Sequence, residues 1–461
     1  MRIERDGLGE VELPRDALYG IQSARAGDNF ALGYRRVNMR LIRAMVMVKK
    51  AAALTYRKLA ERERGAGGAA AVPRGAEAEA GICGAVVRAC DRLLSGEAEE
   101  AFIVDALQGG AGTSANMNVN EVVANLALTI LGESPGSYHI IHPLDDVNRG
   151  QSTNDVYPTA LRIAAIGLLR ELSSGCAALQ EALQKREREF EGVRKLGRTE
   201  LQDAVPVTLG AEFGAYAQAL ARDRWRLYKV EERLRQVNLG GTAVGLPERA
   251  DSPGGSMARK YRYAVVEELR ELTGIGLAAA EYPMDITQNN DVFVEVSGLL
   301  KALAVNLSKI ANDLRLMNSG PRGGLGEIKL APLQAGSTVM PGKVNPVIPE
   351  MIIQAALKVM SNDGTIAAAA SRGEFELNAF LPLIADALLE SLSLLERGVF
   401  LFRTKCIETL APDAERCAEL LDASCAFAAS YVPRLGYDRV NKIIAEYGGD
   451  PEQVRRALED S

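Results

Sequence analysis

TQNNDVFVEVSGLLKALAVNLSKIANDLRL, residues 287–316, carries the clearest helical signal in the chain. A polar cluster opens it. Then Val296, Leu299, Leu300, Leu303, Leu307, Ile310 and Leu314 recur three or four positions apart. That spacing puts them on one stripe of a long helix. Apolar residues also fall outside the stripe, which predicts burial on more than one face, between subunits as well as within one.

The same period recurs outward in both directions. Leu41, Ile42, Met45, Val48, Ala51 and Ala52 mark a helix over 39–59, and helical pattern returns over 82–94. It runs again over 158–190, from about 210 to 236, over 346–359 and over 381–401. Residues 402–461 read as a smaller helical tail with a Pro/Gly break at 433–436. Strand alternation is rare. The expected class is all-α, with several long amphipathic helices between polar turns forming an elongated bundle. The low-complexity run ERERGAGGAAAVPRGAEAEAG (61–81) reads as an inserted surface loop.

The totals narrow the function classes. A chain of 461 residues exceeds one simple core and suits two or three domains. Net charge of −6 gives no basic field, so no nucleic-acid partner is expected. No apolar run is long enough to span a bilayer, so no membrane partner is expected. The opening MRIERDGLGEVELP lacks a signal-peptide core, and a cytoplasmic location is expected. Six cysteines without CxxC spacing read as reduced core thiols. The two histidines, His139 and His142, lie three apart with no third ligand nearby, which makes a poor metal site.

Chemistry-bearing residues gather in the turns. QAGSTVMPGKVNPVIPE (334–350) sets Ser337, Thr338, Met340, Lys343 and Asn345 among Gly336, Gly342, Pro341 and Pro346. It reads either as an ordinary surface loop or as a mobile loop that closes over an anion and excludes water. QGGAGTSANMN (108–118) is a Gly-rich turn feeding a helix, with Thr113 and Asn116 as donors. It serves either as an anion cradle or as a plain helix start. Ser152, Thr153, Asn154 and Asp155 are more capping residues than one helix needs. GRTELQDAVPVTLG (197–210) is a third polar turn, carrying Thr199 and Glu200.

Taken together, these turns resemble the aspartase/fumarase superfamily, the aspartate ammonia-lyases most closely. The matching text is DALYGIQSARAGDNF, QGGAGTSANMNVNEVVAN, DDVNRGQSTNDVYPTA, GRTELQDAVPVTLGAEF, SKIANDLRLMNSGPRGGLGEI and GSTVMPGKVNPVIPE, spread over roughly residues 1–445. The last is similar to the family signature GSSxMPxKxNP, with Thr338 where a second Ser is usual. The resemblance implies three mostly helical domains, here 1–148, 149–401 and 402–461, the central one a long bundle. It also implies a homotetramer with a twenty-helix core and active sites shared among three chains. By position, Ser337 would be the base that takes a proton from the carbon beside a carboxylate. Lys343 and Asn345 would bind that carboxylate and its aci-carboxylate intermediate. Thr113, Ser152, Thr153, Asn154 and Thr199 would hold the substrate, with Asn116 and Arg25 as weaker candidates for the same shell. Thr338 and Met340, on the closing loop, would bind the substrate too. No cofactor and no metal are implied.

Three departures bear on substrate. Glu200 stands where the family commonly has His, or Gln in some aspartases. Ala115 stands where Thr is usual, and LPERADSPGGS replaces a TGLN-like segment after NLGGTAVG. A carboxylate at 200 would repel a dicarboxylate substrate by roughly 4 kcal/mol at an effective dielectric of about 20. Either Glu200 points away into an ion pair, for instance with Arg198, or the substrate's far end carries N–H donors or positive charge. The expected function is elimination of ammonia or an amine from an amino-acid-like substrate. An ergothionase-like trimethylamine lyase acting on an imidazole-bearing betaine, a non-catalytic oligomeric homologue and a fumarase-like hydratase are the alternatives.

Overall fold

The computed structural model describes residues 1–65, 76–246 and 255–461. Of the expected insertion at 61–81, residues 66–75 lie outside the described residues, while 61–65 and 76–81 are helical rather than loop; residues 247–254 of the loop at 238–256 also lie outside. The rest is mainly helical. It divides into two compact units, and five long helices each contribute residues to both.

The first unit comprises Met1–Arg170, Tyr228–Gly298 and Ser361–Ser393. It opens with an antiparallel hairpin, β1 (Arg2–Asp6) and β2 (Gly9–Leu13), followed by α1 (Ile21–Asn29). Helix α2 (Met39–Gly65) packs on α3 (Ala76–Leu94), and α3 packs on α4 (Thr113–Ile130). Helix α4 is buried on every side from Ala115 to Leu128. Its polar residues therefore need partners. Glu121 accepts from the backbone N–H of Gly20, Gln22 and Ser23 and from the Ser23 hydroxyl, which fixes the start of α1. Asn118 and Asn125 likewise bond to backbone groups outside α4.

The start of α5 (Thr153–Glu189) belongs to this unit, and Pro158 lies inside its second turn; the Asn154 carbonyl that loses a helical donor there accepts from Asn238 Nδ2 at 3.0 Å. Glycine is required just before α4. Gly112 has φ +94, and a Cβ there would lie 2.2 Å from the Tyr157 ring.

The second unit comprises Glu171–Leu227, Leu299–Met360 and Leu394–Ser461. Where the sequence reads as a polar turn at 197–210, the structure forms a hairpin, β3 (Arg194–Thr199) against β4 (Gln202–Thr208). Val205, Val207 and Thr208 favour extended backbone there, and Leu196 is buried on the facing strand. Helix α6 (Leu209–Leu234) follows. After α7 (Gly255–Thr273) and α8 (Pro283–Gln288), both in the first unit, comes α9 (Asp291–Met317). The stripe read from 287–316 is its buried face: Val296, Leu300, Leu303, Leu307, Ile310 and Leu314 are all buried, and Leu299 is half-buried at the margin.

Helices α10 (Val347–Ala370) and α11 (Leu381–Phe402) complete the long set. The tail forms α12 (Ala414–Asp422), α13 (Val432–Leu435), α14 (Tyr437–Glu446) and α15 (Pro451–Glu459). Val440, Ile443, Val454 and Leu458 give it a small core of its own. All six cysteines are free thiols, and five of them are buried. Among the described residues, no helix is long and apolar enough to cross a membrane.

Candidate active site

In the first unit, four of the expected site residues meet at the entry to α5. The Asn116 Nδ2 donates to Thr153 Oγ1 at 3.1 Å and to Asn148 Oδ1 at 3.2 Å. Ser152 Oγ accepts from the Asn154 backbone N–H at 3.2 Å. Asn154 donates from Nδ2 to the Ala243 carbonyl at 2.7 Å. Asp155 ties this turn to the 238–246 loop: Oδ1 accepts from the Ser152 N–H, and Oδ2 from the N–H groups of Gly240 and Thr242, each at 3.0 Å. Asp155 is fully buried, and burial pushes its carboxyl up to about 7 against those backbone bonds and the nearby Lys49. Thr113 lies one turn before Asn116 on α4. It is exposed, and its hydroxyl donates back to the Gly110 carbonyl at 2.8 Å. Arg25 is not part of this group. Its guanidinium forks onto the Asp6 carboxylate, with both contacts at 2.9 Å.

In the second unit, residues 334–346 form an exposed loop closed on itself. Gly336 N–H donates to the Lys343 carbonyl at 2.9 Å, and Asn345 Nδ2 donates to the Gly336 carbonyl at 2.9 Å. Ser337 Oγ accepts two backbone N–H groups, from Val339 at 3.1 Å and Met340 at 3.0 Å. Two fixed donors on one hydroxyl oxygen favour any negative charge that forms on it. Gly336 is required at the neck of the loop, where a Cβ would sit 2.6 Å from the Lys343 carbonyl oxygen. Thr338, Met340 and Lys343 are exposed.

Thr199 and Glu200 stand at the tip of the β3–β4 hairpin. Thr199 pairs with Gln202, so Glu200 and Leu201 are the two turn residues, with φ +54 and +64. Both dihedrals are left-handed, as a type I′ turn demands, although such turns prefer Asn-Gly. A left-handed Glu-Leu pair is strained, and strain of this kind gathers at functional sites. The ion pair with Arg198 does not form. Arg198 instead contacts Glu327 at 2.8 Å, and Glu327 also contacts buried Lys195 at 2.8 Å. Lys195 reaches Glu212 at 2.8 Å as well. This network anchors the base of the hairpin, and no hydrogen bond or ion pair among the described residues restrains the Glu200 carboxylate. It lines a cavity of about 370 Å³ with Lys195, Arg198, Glu212, Tyr216 and Lys309. Among the described residues, no hydrogen bond or ion pair joins the hairpin tip to the 334–346 loop.

A family model described as Lyase matches residues 9–361. An aspartate ammonia-lyase of a Bacillus species is 42% identical over 99% of this chain and 92% of its own length. The chain belongs to the aspartase/fumarase superfamily. A second aspartate ammonia-lyase, from Pseudomonas aeruginosa, is 44% identical over 96% of the chain and 89% of that relative. Among solved structures, a fumarate lyase:delta crystallin from Brucella melitensis is 43% identical, with a TM-score of 0.87, over 98% of this chain and 99% of that one. The class II fumarase of Schistosoma mansoni is 29% identical, again with a TM-score of 0.87, over 99% and 95%. These relatives make the chain an enzyme of the superfamily, on its aspartase-like, carbon–nitrogen lyase side.

The superfamily motifs bring some groups together that the sequence reading missed. Lys49, Asn148 and Gln151 form a layer behind Asn116 and Thr153, and Lys195, Glu212 and Glu327 form one behind the hairpin. One signal was available for Lys49. It continues the spacing Ile42, Met45, Ala52, so a cation stands on an otherwise apolar stripe.

Proposed function

We propose that the protein eliminates ammonia or an amine from an amino-acid-like substrate by anti-elimination, as aspartate ammonia-lyases do with aspartate. Ser337 is the base that takes the proton beside the substrate carboxylate. Lys343 and Asn345 bind that carboxylate and the aci-carboxylate formed from it. Thr113, Asn116, Ser152, Thr153, Asn154 and Thr199 hold the substrate's remaining carboxylate and amine. The sites are completed in a homotetramer, each drawing on three chains. The observation that carries this reading is the pair of backbone N–H groups on Ser337 Oγ. A serine is a poor base in water. Preset donors lower the free energy of its alkoxide once the loop closes over substrate and excludes water.

Glu200 supports a second reading of the substrate. Its carboxylate lacks a partner among the described residues and tips a strained turn. A substrate whose far end bears N–H donors or positive charge, such as an imidazole-bearing betaine, complements it better than a second carboxylate. The test is amine release by the purified protein from aspartate, ergothioneine and histidine betaine, each also with Ser337→Ala and Glu200→Gln. Aspartate turnover that Glu200→Gln leaves unchanged removes Glu200 from the site. Turnover of the imidazole substrates alone, lost in Glu200→Gln, assigns it to specificity. Turnover retained in Ser337→Ala overturns the base assignment.

A further inference from the structure

Lys49 is fully buried in α2. Its Nζ donates to Asn148 Oδ1 at 2.9 Å and Gln151 Oε1 at 3.0 Å, and no carboxylate among the described residues lies within ion-pair distance. A buried ammonium without a contacting counter-ion is a large desolvation penalty, and an apolar side chain of similar volume would avoid it. What the ammonium does instead is set one oxygen. Asn148 Oδ1 takes three donors: Lys49, Asn116 Nδ2 at 3.2 Å and Asn120 Nδ2 at 3.2 Å. Asn148 in turn donates to the Gln151 carbonyl at 3.2 Å, and Asn116 donates onward to Thr153. Among the described residues, the buried Oδ1 atoms of Asn116 and Asn120 have no donor, so both amides are oriented through their N–H side alone. A layer this short of alternative bonds holds its geometry only while Asn148 Oδ1 is held.

We propose that Lys49 is a positioning residue for the elimination: through Asn148 and Gln151 it fixes the 148–154 turn and the Asn116–Thr153 pair that hold the substrate. This rests on the lyase reading above.

The test compares the full-length protein with Lys49→Met and Gln151→Glu. The second variant is nearly isosteric and draws the ammonium off Asn148 toward a carboxylate. KM for the turned-over substrate is expected to rise about tenfold or more in both variants, with a smaller fall in kcat. Damage to folding alone would lower apparent kcat and leave KM where it was. KM within about twofold of the unsubstituted protein in the variants that fold overturns the proposal. Hydrogen exchange of the 148–156 backbone gives a readout that needs no turnover. It is expected to quicken in both variants, and unchanged exchange overturns the assignment. If the unsubstituted protein turns over none of the substrates, the lyase reading fails on its own, and exchange still decides whether Lys49 holds the turn.

Discussion

Ser337, Glu200 and Lys49 show three degrees to which a residue's role can be read from its neighbours in sequence. Ser337 sits inside a motif, and its hydroxyl and loop were legible from the Gly and Pro around it. The two amide donors on its Oγ were not, because they depend on how the backbone turns at 338–340. Glu200 was legible as a departure, and its dihedrals appear only in the folded hairpin. Lys49 was marked in sequence only by its place on the stripe of Ile42, Met45 and Ala52; its burial and what it holds needed the fold.

Burial lowers the Lys49 ammonium from an ordinary 10.5 to about 7, with Asp155 opposing the shift. Between those two values the unfolded chain binds the proton that the folded chain lacks, so this group makes stability rise with pH from about 7 upward, by as much as about 1.4 kcal/mol per pH unit. Lys49→Met removes that dependence. At fixed protein concentration, the stability of the unsubstituted protein relative to Lys49→Met in urea unfolding is therefore expected to rise between neutral pH and about pH 9.5. A constant difference would mean that Lys49 keeps its proton when folded.

At the scale of elements, most of the long helices were legible from a 3.6-residue apolar period, but α7 (Gly255–Thr273) was not read, and α10 runs to Ala370 where the reading stopped at 359. The β3–β4 hairpin was not legible either. It is short, its strands are mixed in polarity, and its tip lacks the Asn-Gly signature. Two substitutions test how these elements are held. Gly112→Ala forces a Cβ into the Tyr157 ring at a positive φ and is expected to destabilise the protein by about 3 kcal/mol, read from urea unfolding. Leu201→Gly relieves one left-handed residue at an exposed tip and is expected to stabilise by about 1 kcal/mol. If the strain serves to present Glu200, the same change lowers kcat/KM. A gain in stability with no loss of activity would make the tip structural only.

At the scale of the whole molecule, the sequence predicted faces buried between subunits. One chain leaves Trp225 and Tyr228 of α6, Val305 of α9 and Leu357 of α10 exposed. Scattered exposed apolar residues are ordinary, but these lie on the long helices expected to form the tetramer core. Trp225 is the only tryptophan in the chain and is 64% exposed. Its emission is expected to be blue-shifted in the assembled protein and to move red on dilution, in step with a fall in sedimentation coefficient. Trp225→Asp is expected to yield species smaller than a tetramer with little activity. A monomer that turns over substrate at full rate would refute sites shared among chains.

The most direct test is fumarate formation from aspartate, or amine release from the imidazole substrates, by the protein and by Ser337→Ala at equal protein concentration. Turnover by the first is expected, with a loss of about 10³-fold or more in kcat for the second and assembly unchanged. Equal turnover by both proteins would contradict it.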